Sequence, residues 1–378
     1  MAKCDWRIWR PNDAVDLTSY VLSFDVSWGR DTFVSPYQGR VATITIRNDN
    51  EQSDFFDINR TIQIYEFDSD ATAFYGVVLT RDFNDNPGNG NMSTCVVTCV
   101  DAFTLAGNQQ TTTTFVAADN QLNELAVLVT NDSLYTNPWL VYGTTDTAFS
   151  VGAFTGNVQS QMQQIILGDH GIFRTTYYLN QYFAPSQFDN LILSVAGGNV
   201  TFGRTTSTTQ IAYSNIDRSE AATESTWFNQ ATVTGASTTA TKSNGSTAQY
   251  GTKSFTTTTT QTEKVNSSAE WWANNYISPT RLSLDLSILD IAQNATALTK
   301  FLSTCIEWQY FGDVSWTVPG GASVTQTFFP DKISISATPE QTRFTLGMTN
   351  INSYQSFILD STTFGILDTS RLGVGTAV

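Results

Sequence analysis

The strongest constraint on the fold of this chain is a period-two alternation of apolar and other side chains in short runs. Residues 21–28 place large apolar groups at every second position, namely Leu22, Phe24, Val26 and Trp28. Because successive side chains of a strand point to opposite faces, this pattern predicts a strand with one apolar face. Strand-like runs recur at residues 41–47, 61–67, 73–81 and 92–100. Turn-forming residues separate them, so residues 17–106 predict a small antiparallel barrel or sandwich of five strands.

Apolar side chains at the spacing of a helix occur after residue 106. Residues 120–131 place apolar side chains three and four positions apart, which predicts an amphipathic helix. A second helix is predicted from Val158, Met162, Ile165 and Ile166, and it ends at Gly168. Residues 191–204 predict a hairpin with its turn at residues 196–199. This part of the chain therefore predicts a mixed α+β region.

The second half of the chain is rich in Ser and Thr, and Thr retains a high propensity for strands. Strands are predicted at residues 226–234, 240–250, 256–260, 281–286, 314–318, 332–337 and 343–348. One short helix is predicted at residues 269–276. The segment therefore predicts a second β domain with one helix beside it.

These segments together predict a mainly β fold with an α+β insert and two small antiparallel β-barrel or sandwich domains. The predicted units are an N-terminal β-barrel domain at residues 1–106, a mixed α+β domain at 107–215, a second β-barrel domain at 216–349 and a C-terminal tail at 350–378. Aromatic residues make up 12% of the chain, which argues against disorder and supplies material for sizeable cores.

The charge of the chain excludes one class of function. Acids outnumber bases 34 to 19, so the formal net charge is −15, which argues against a basic nucleic-acid-binding module. The N-terminus lacks the apolar segment of a signal peptide, and the longest apolar stretch, residues 125–129, is far too short to span a membrane. We therefore expect a chain that is made in a cytosol and has no membrane span.

The four cysteines do not predict a disulfide framework. Cys95 and Cys99 lie four positions apart in a predicted strand, so they share a face with their Cα atoms roughly 13 Å apart, which is too far for a disulfide. We interpret these two cysteines as buried apolar groups rather than metal ligands.

No motif in the sequence predicts catalysis. The only histidine, His170, follows a predicted helix end, where a turn explains it better than a catalytic dyad or triad would. The motifs HExxH, G-x-S-x-G and the Walker A loop do not occur. We therefore assign no catalytic, cofactor-binding or metal-binding residue, expect no cofactor, and expect that the protein is not an enzyme.

Three weaker signals leave alternatives open. The acidic residues 82–86 fail as an EF-hand, because its sixth and twelfth positions would be Pro87 and Ser93, but a non-standard calcium loop stays possible. The pair Trp271 and Trp272 could stack on sugars, although one member is expected to face a core. The threonine run at 256–260 could form an adhesive surface, although an ordinary strand is favoured.

Several segments, taken in order, carry a family resemblance. They are D-L-T-S-Y-V-L-S-F-D-V-S-W-G-R at residues 16–30, V-A-T-I-T-I-R-N-D-N at 41–50, F-Y-G-V-V at 74–78, C-V-V-T-C-V-D-A at 95–102, G-D-V at 312–314, K-I-S-I-S-A-T-P at 332–339, R-F-T-L-G-M at 343–348, F-I-L-D at 357–360, G-I-L-D at 365–368 and R-L-G at 371–373. In order and spacing they resemble minor tail proteins of long-tailed bacteriophages, namely the baseplate or tail-tip hub proteins.

The resemblance implies a structural role at the tail tip of a virion. Such hub proteins have two small β-barrels separated by a mixed domain, and they form homotrimers whose six barrels make a pseudo-hexameric ring. The ring joins the hexameric tail tube to a three-fold tip and lines the DNA exit path. The implied partners are distal tail or tail tube proteins, the tape-measure protein, and tip or fibre proteins, with assembly in the bacterial host cytoplasm. DNA would pass through without specific binding.

Two alternatives and one electrostatic hypothesis accompany this interpretation. The chain could be a receptor- or glycan-binding β protein of the virion, or a tail-associated wall hydrolase that uses a carboxylate pair. If acidic side chains face the channel, they would repel the DNA phosphates and let the genome slide. The net charge of −15 motivates that hypothesis.

Overall fold

The protein is described from a computed structural model in which most of both β domains is defined. The structure describes residues 3–31, 35–85, 93–108, 110–114, 140–141, 153–168, 172–175, 181–184, 200–221, 228–235, 237–244, 251–258, 265–275, 281–307, 309–318 and 320–350. The predicted helix at 120–131, His170 and residues 351–378 of the predicted tail lie outside this set.

The N-terminal β domain, which we call the first barrel, confirms the five predicted strands and adds two, and within the described residues its strand order shows no closing pair. Its elements are β1 (Trp6–Arg10), β2 (Val15–Asp16), β3 (Val21–Gly29), β4 (Gln38–Arg47), β5 (Thr61–Glu66), β6 (Ala71–Asn84), β7 (Thr94–Val100) and helix α1 (Ala102–Leu105). The strands follow the order β3-β4-β7-β6-β5-β1-β2. Strand β1 was not predicted, and in it Trp6 and Ile8 are buried with the half-buried Arg7 between them.

The central part of the chain contributes short strands and one predicted helix. The described elements are β8 (Gln110–Thr114), β9 (Leu140–Val141), β10 (Ala153–Asn157), α2 (Val158–Gly168), β11 (Ile172–Thr175) and β12 (Gln181–Ala184). Helix α2 confirms the predicted helix, and its Val158 and Met162 are buried. Both α+β character and a mainly β chain are therefore present, as the sequence predicts.

The second half contains a closed barrel and a separate small sheet. Its elements are β13 (Val200–Gly203), β14 (Gln210–Ala221), β15 (Gln230–Thr234), β16 (Thr239–Ser243), β17 (Ser254–Thr258), α3 (Val265–Asn275), β18 (Arg281–Leu289), α4 (Ala295–Phe301), β19 (Gly312–Thr317), β20 (Ser323–Ala337) and β21 (Thr342–Asn350). Six strands close the barrel in the order β19-β13-β14-β18-β21-β20, and β20 pairs back with β19.

Strand pairing places one predicted domain boundary inside a strand. Strand β14 crosses residue 215 and, with β13, belongs to the second barrel. The threonine-rich strands β15–β17 form their own sheet and pack on α3 around a core that includes Phe228 and Trp272. The division into domains stays a prediction, but the second barrel begins by residue 200 and contains an inserted unit.

One hydrophobic core extends through both barrels. Trp6 of β1 packs edge-to-face on Phe24, with ring centroids 5.6 Å apart, and lies 6.4 Å from Phe344 of β21. Phe301 at the end of α4 packs on Phe344 at 5.2 Å. The two barrels are therefore packed against each other as well as hydrogen-bonded. Within the described residues, none of the helices is long and apolar enough to cross a membrane.

Candidate functional site: the polar face of the shared sheet

Eight neighbouring strands form a continuous sheet across both barrels, which we call the shared sheet. It consists of β14, β18, β21, β20, β3, β4, β7 and β6, in that order. Each neighbouring pair is antiparallel. The second barrel supplies four strands and the first barrel supplies the other four. Strand β20 makes the junction, because its residues 332–337 pair with β3 of the first barrel.

The shared sheet buries one face and exposes the other. In β3, Phe24, Val26 and Trp28 are buried, whereas Asp25 and Ser27 between them are exposed. This difference is the expected consequence of the two-residue repeat of a strand. Hydroxyl side chains dominate the outward positions, which include Ser23, Ser27, Thr43, Thr45, Thr80, Thr98, Ser219, Ser283, Ser287, Ser334, Ser336, Thr345 and Thr349.

Cross-strand register aligns these side chains into rows. One row runs over six strands from Arg343 through Ser336, Asp25, Thr43 and Thr98 to Thr80. A second row joins Ser287, Thr345, Ser334 and Ser27 across four strands. Small hydroxyl groups directly opposite one another give a polar surface with few long side chains.

The outward face carries little net charge. Among the side chains that the structure describes, this face has four acids, Asp25, Asp82, Asp217 and Asp285, and three bases, Arg47, Lys332 and Arg343. Many acids of the chain lie elsewhere, because residues 49–70 contain seven acids and one base. The hypothesis of an acidic channel surface therefore does not describe this face, which is close to neutral.

Two aspartates of this face lie directly opposite each other. Asp217 of β14 pairs in register with Asp285 of β18. Burial and then the neighbouring Asp217 raise the pKa of Asp285, and Lys332 opposes that rise. Gly347 separates Asp285 from Lys332 in the row, and a Cβ there would lie 3.3 Å from the Lys332 Cβ. The small residue keeps this part of the surface open.

A buried ion pair fixes the junction between the barrels. The Arg30 Nε donates to Asp331 Oδ1 at 2.8 Å, and the two side chains are 7% and 4% exposed. The Arg30 N–H also donates to the Asp331 carbonyl at 2.8 Å. Asp331 lies at the irregularity of β20 between Pro330 and Lys332, where the strand passes from one barrel to the other.

A second buried cation connects the same two barrels. Arg40 of β4 donates to the carbonyls of Thr72 and Ala73 in its own barrel, and to the carbonyl of Glu307 after α4 in the other. Its Cζ lies 4.4 Å above the Trp28 ring. Burial lowers the pKa of Arg40. Burial also raises the pKa of Glu307 to about 7, a rise that Arg40 opposes.

A buried carboxylate ties the N-terminal segment to the second barrel. Asp290 is fully buried and accepts hydrogen bonds from the N–H groups of Cys4, Thr342 and Ile291 at 3.0, 2.9 and 2.7 Å. The Trp6 Nε1 donates to Thr342 Oγ1 at 2.9 Å. The buried contacts of Arg30, Arg40 and Asp290 therefore join the N-terminal and second barrels.

Among the described residues, the structure shows where the cysteines and the acidic residues at 82–84 lie. All four cysteines are buried and free, and Cys95 and Cys99 share a face as predicted. Burial raises the pKa of Cys99. Within the described residues, no group of three His, Cys, Asp or Glu side chains could hold a metal. Residues 82–84 lie in strand β6, which corrects their interpretation as a loop.

The tryptophan pair and the threonine run also have structural explanations. Trp272 is fully buried, as expected for one member of the pair, and Trp271 packs edge-to-face on it with centroids 4.9 Å apart. The threonine run begins in strand β17, which confirms the strand over Ser254–Thr258. The shared sheet was not predicted, although Ser and Thr at alternate positions in residues 332–337 and 343–348 indicate its polar face.

Comparison with known proteins identifies the fold. No family model matches the chain, and no curated protein matches it either. Among solved structures, the tail protein from Neisseria meningitidis MC58 is similar over 92% of this chain and 97% of that chain, with 9% identity and a TM-score of 0.63.

Two further structures give the same result. The prophage MuSo2 43 kDa tail protein from Shewanella oneidensis is similar over 93% of this chain and 98% of that chain, with 7% identity and a TM-score of 0.55. The prophage tail protein gp18 from Listeria monocytogenes EGD-e is similar over 91% and 94%, with 10% identity and a TM-score of 0.51. The chain therefore has the fold of these tail proteins, which confirms the predicted fold class and the resemblance at the level of the fold.

Proposed function

We propose that this chain is a structural component of a bacteriophage tail tip, a hub protein that joins the hexameric tail tube to a three-fold tip and lines the DNA exit path. The observation that carries the proposal is the shared sheet. It presents a hydroxyl-rich face across two barrels that each supply four strands. The fold similarity to tail proteins over more than nine-tenths of the chain supports it.

The number of barrels fits a symmetry adaptor. Two barrels in one chain mean that three copies supply six barrels, which is the number a hexameric tube requires. The buried contacts of Arg30, Arg40 and Asp290 hold the two barrels of one chain in a fixed relation. A homotrimer built from such a unit would present a six-barrel ring to the tube and a three-fold face to the tip.

The chemistry of the polar face of the shared sheet suits the passage of DNA. Non-specific binding to DNA depends on Lys and Arg side chains that neutralise phosphates. The three described bases of this face are offset by four described acids, and short hydroxyls are its commonest side chains. A duplex would therefore meet a polar wall with little net attraction. The wall need not be strongly acidic for the genome to slide.

The role is one of assembly rather than catalysis. In the virion, the partners would be distal tail or tail tube proteins, the tape-measure protein, and tip or fibre proteins. The chain would be assembled in the bacterial host cytoplasm and carried at the tail tip. Within the described residues, the buried polar groups discussed above hydrogen-bond to backbone groups or to each other and serve packing.

Immunogold electron microscopy of purified particles, with antibody against this chain, tests the proposal. We expect label at the tail tip, and three-fold averaging of the tip should show one six-barrel ring. Label that is confined to the lysate would contradict the virion role. Label along the tail or on the capsid would contradict the hub role, and glycan-binding and wall-hydrolysis assays would then examine the two alternatives.

A further inference from the structure

A cleft of about 570 Å³ lies at the rim of the first barrel, where strand β3 ends and strand β4 begins. Its lining includes Trp28 and Gly29 of β3 and, from the helix α2, Gln159 and Gln163. Small-molecule sites in proteins have volumes of this size. The cleft is therefore large enough to hold a small molecule between the barrel and the helix.

The backbone of the two strands leaves the space for this cleft. The register of β3 against β4 shifts between Ser27 and Gly29, and such bulges are frequent beside functional sites. Gly39 of β4 lines the cleft as well, and a Cβ there would lie 2.4 Å from Asp101 Oδ1. The position therefore requires glycine, which adds no side chain to the cleft.

Polar side chains with unused hydrogen-bonding capacity line the cleft. Among the described residues, the side chains of Ser27, Gln38 and Gln159 have no hydrogen-bond partner. Gln163 is held in place, because its Nε2 donates to the Tyr37 carbonyl at 2.9 Å. A hydroxyl or a primary amide both donates and accepts hydrogen bonds. These groups therefore match a ligand whose own groups do the same, as the hydroxyls of a sugar do.

The charged groups of the cleft are already paired. Lys332 Nζ donates to Asp31 Oδ1 at 2.6 Å, and Arg30 forms the buried ion pair with Asp331. A charged ligand would have to separate one of these pairs or lie close to a group of its own sign. A neutral ligand leaves both pairs intact. The arrangement of charges therefore favours a neutral ligand.

One buried donor in the lining of the cleft has no acceptor. Trp28 is 3% exposed, and in the part of the chain that the structure describes its Nε1 makes no hydrogen bond. Buried polar groups in proteins are nearly always hydrogen-bonded. A ligand oxygen bound at this wall would supply the acceptor that the Trp28 indole N–H lacks.

We propose that this cleft binds a neutral saccharide through the amides of Gln38 and Gln159 and the hydroxyl of Ser27. The inference goes beyond the proposed hub function and does not depend on it. The site lies at the rim of the first barrel, because both of its strands end there. Sugar binding at this rim is compatible with a polar face that serves another purpose along the rest of the sheet.

Titration of the full chain with defined tetrasaccharides, observed by ligand-detected NMR, tests the proposal. Chitotetraose and cellotetraose are the neutral probes, and the glucosamine tetramer is the cationic counterpart of chitotetraose. At least one neutral probe should bind about tenfold more tightly than the cationic probe, although the net charge of −15 favours a cation. Failure of both neutral probes to bind would overturn the proposal, as would tighter binding of the cationic probe.

Two variants with a matched control locate the site. Gln38 and Gln159 make no side-chain hydrogen bond to the described residues, so Q38A and Q159A should fold normally, which thermal unfolding checks. Each variant should weaken binding of the neutral probe about fivefold. Q341A removes a half-buried glutamine outside the cleft and should leave binding unchanged. Equal affinities of the three variants would overturn the site.

The outcomes separate this inference from the proposed function. Immunogold label at the tail tip, together with no binding of the neutral probes, would leave the hub function standing and overturn the saccharide site. Binding that Q38A and Q159A weaken, in a chain that is not found on particles, would retain the saccharide site and overturn the hub function.

Discussion

Arg30 and Asp331 form a buried ion pair at the point where strand β20 leaves one barrel and enters the other. The Nε–Oδ1 distance is 2.8 Å, and the backbone of the same two residues is also hydrogen-bonded at 2.8 Å. Removing one member of a pair that is this well shielded from solvent destabilises the fold strongly, because the remaining charge would lie buried without compensation. The pair thus fixes how the two halves of the shared sheet continue into each other.

Removing one member of this pair should destabilise the protein strongly. We expect R30M to lower the free energy of unfolding by about 3–5 kcal/mol, because it leaves the Asp331 carboxylate buried without its cation. Urea unfolding measures the change. The matched control is K332M, which breaks the exposed pair of Lys332 with Asp31 and should cost about 1 kcal/mol or less. Similar losses for the two variants would show that the buried pair has no special role.

Gly29 should tolerate no side chain beside the same junction. Its φ is +108°, and a Cβ would lie 2.0 Å from the Asp331 carbonyl oxygen. We expect G29A to cost more than about 2 kcal/mol, since it adds a backbone clash to left-handed strain. G251A is the control, because Gly251 also has a positive φ of +73° but nothing within 4 Å of the added atom. Thermal unfolding should show the larger loss for G29A.

Sequence periodicity predicted the strands of the shared sheet but not their pairing. Apolar and polar side chains alternate in residues 21–28, 332–337 and 343–348, so the inward and outward faces of these strands could be predicted. The pairing of Ile333 with Trp28 joins positions that are far apart in the chain, and alternation does not specify a partner. The closed barrel also depends on β13 and β14, which precede or cross the predicted boundary at residue 215.

The contacts that join the barrels could not be predicted from local pattern. Arg40 occupies an inward position of β4, where the alternation predicts an apolar side chain, and only the structure shows the carbonyls that accept its hydrogen bonds. Helix α4 was missed although Asn294 caps it through Thr296, because the apolar positions of α4 form a short run. The sequence shows hydroxyl side chains at alternate positions of several strands. Their alignment into rows depends on the cross-strand register, which the sequence does not specify.

Glu307 should make stability depend on pH near neutrality. Burial raises the pKa of this carboxyl from 4.5 to about 7 in the folded protein, so between those values the folded state binds more protons than the unfolded state. The contribution of Glu307 to the free energy of unfolding is therefore greatest below about pH 4.5 and decreases as the pH rises to about 7. E307Q should remove this loss.

Urea unfolding of the wild type and E307Q at pH 5 and pH 8 measures the effect. The variant should gain about 1–2 kcal/mol relative to the wild type between the two pH values, a figure reduced for partial exposure to solvent. E340Q, which replaces an exposed glutamate in the turn before β21, is the control and should show no such gain. A constant difference between E307Q and the wild type would contradict the assignment.

Adding positive charge to the polar face of the shared sheet should slow the ejection of DNA. Ser27 and Ser336 are exposed on neighbouring strands of that face, and S27K/S336K would place two cations where phosphates are proposed to pass. Because Lys contacts to phosphates are strongly attractive at low salt, ejection from particles with the variant should slow, and added salt should restore the rate. T241K/T256K, on the exposed face of the β15–β17 sheet, adds the same charge elsewhere and should leave the rate unchanged. Unchanged ejection by S27K/S336K particles would show that this face does not line the DNA path.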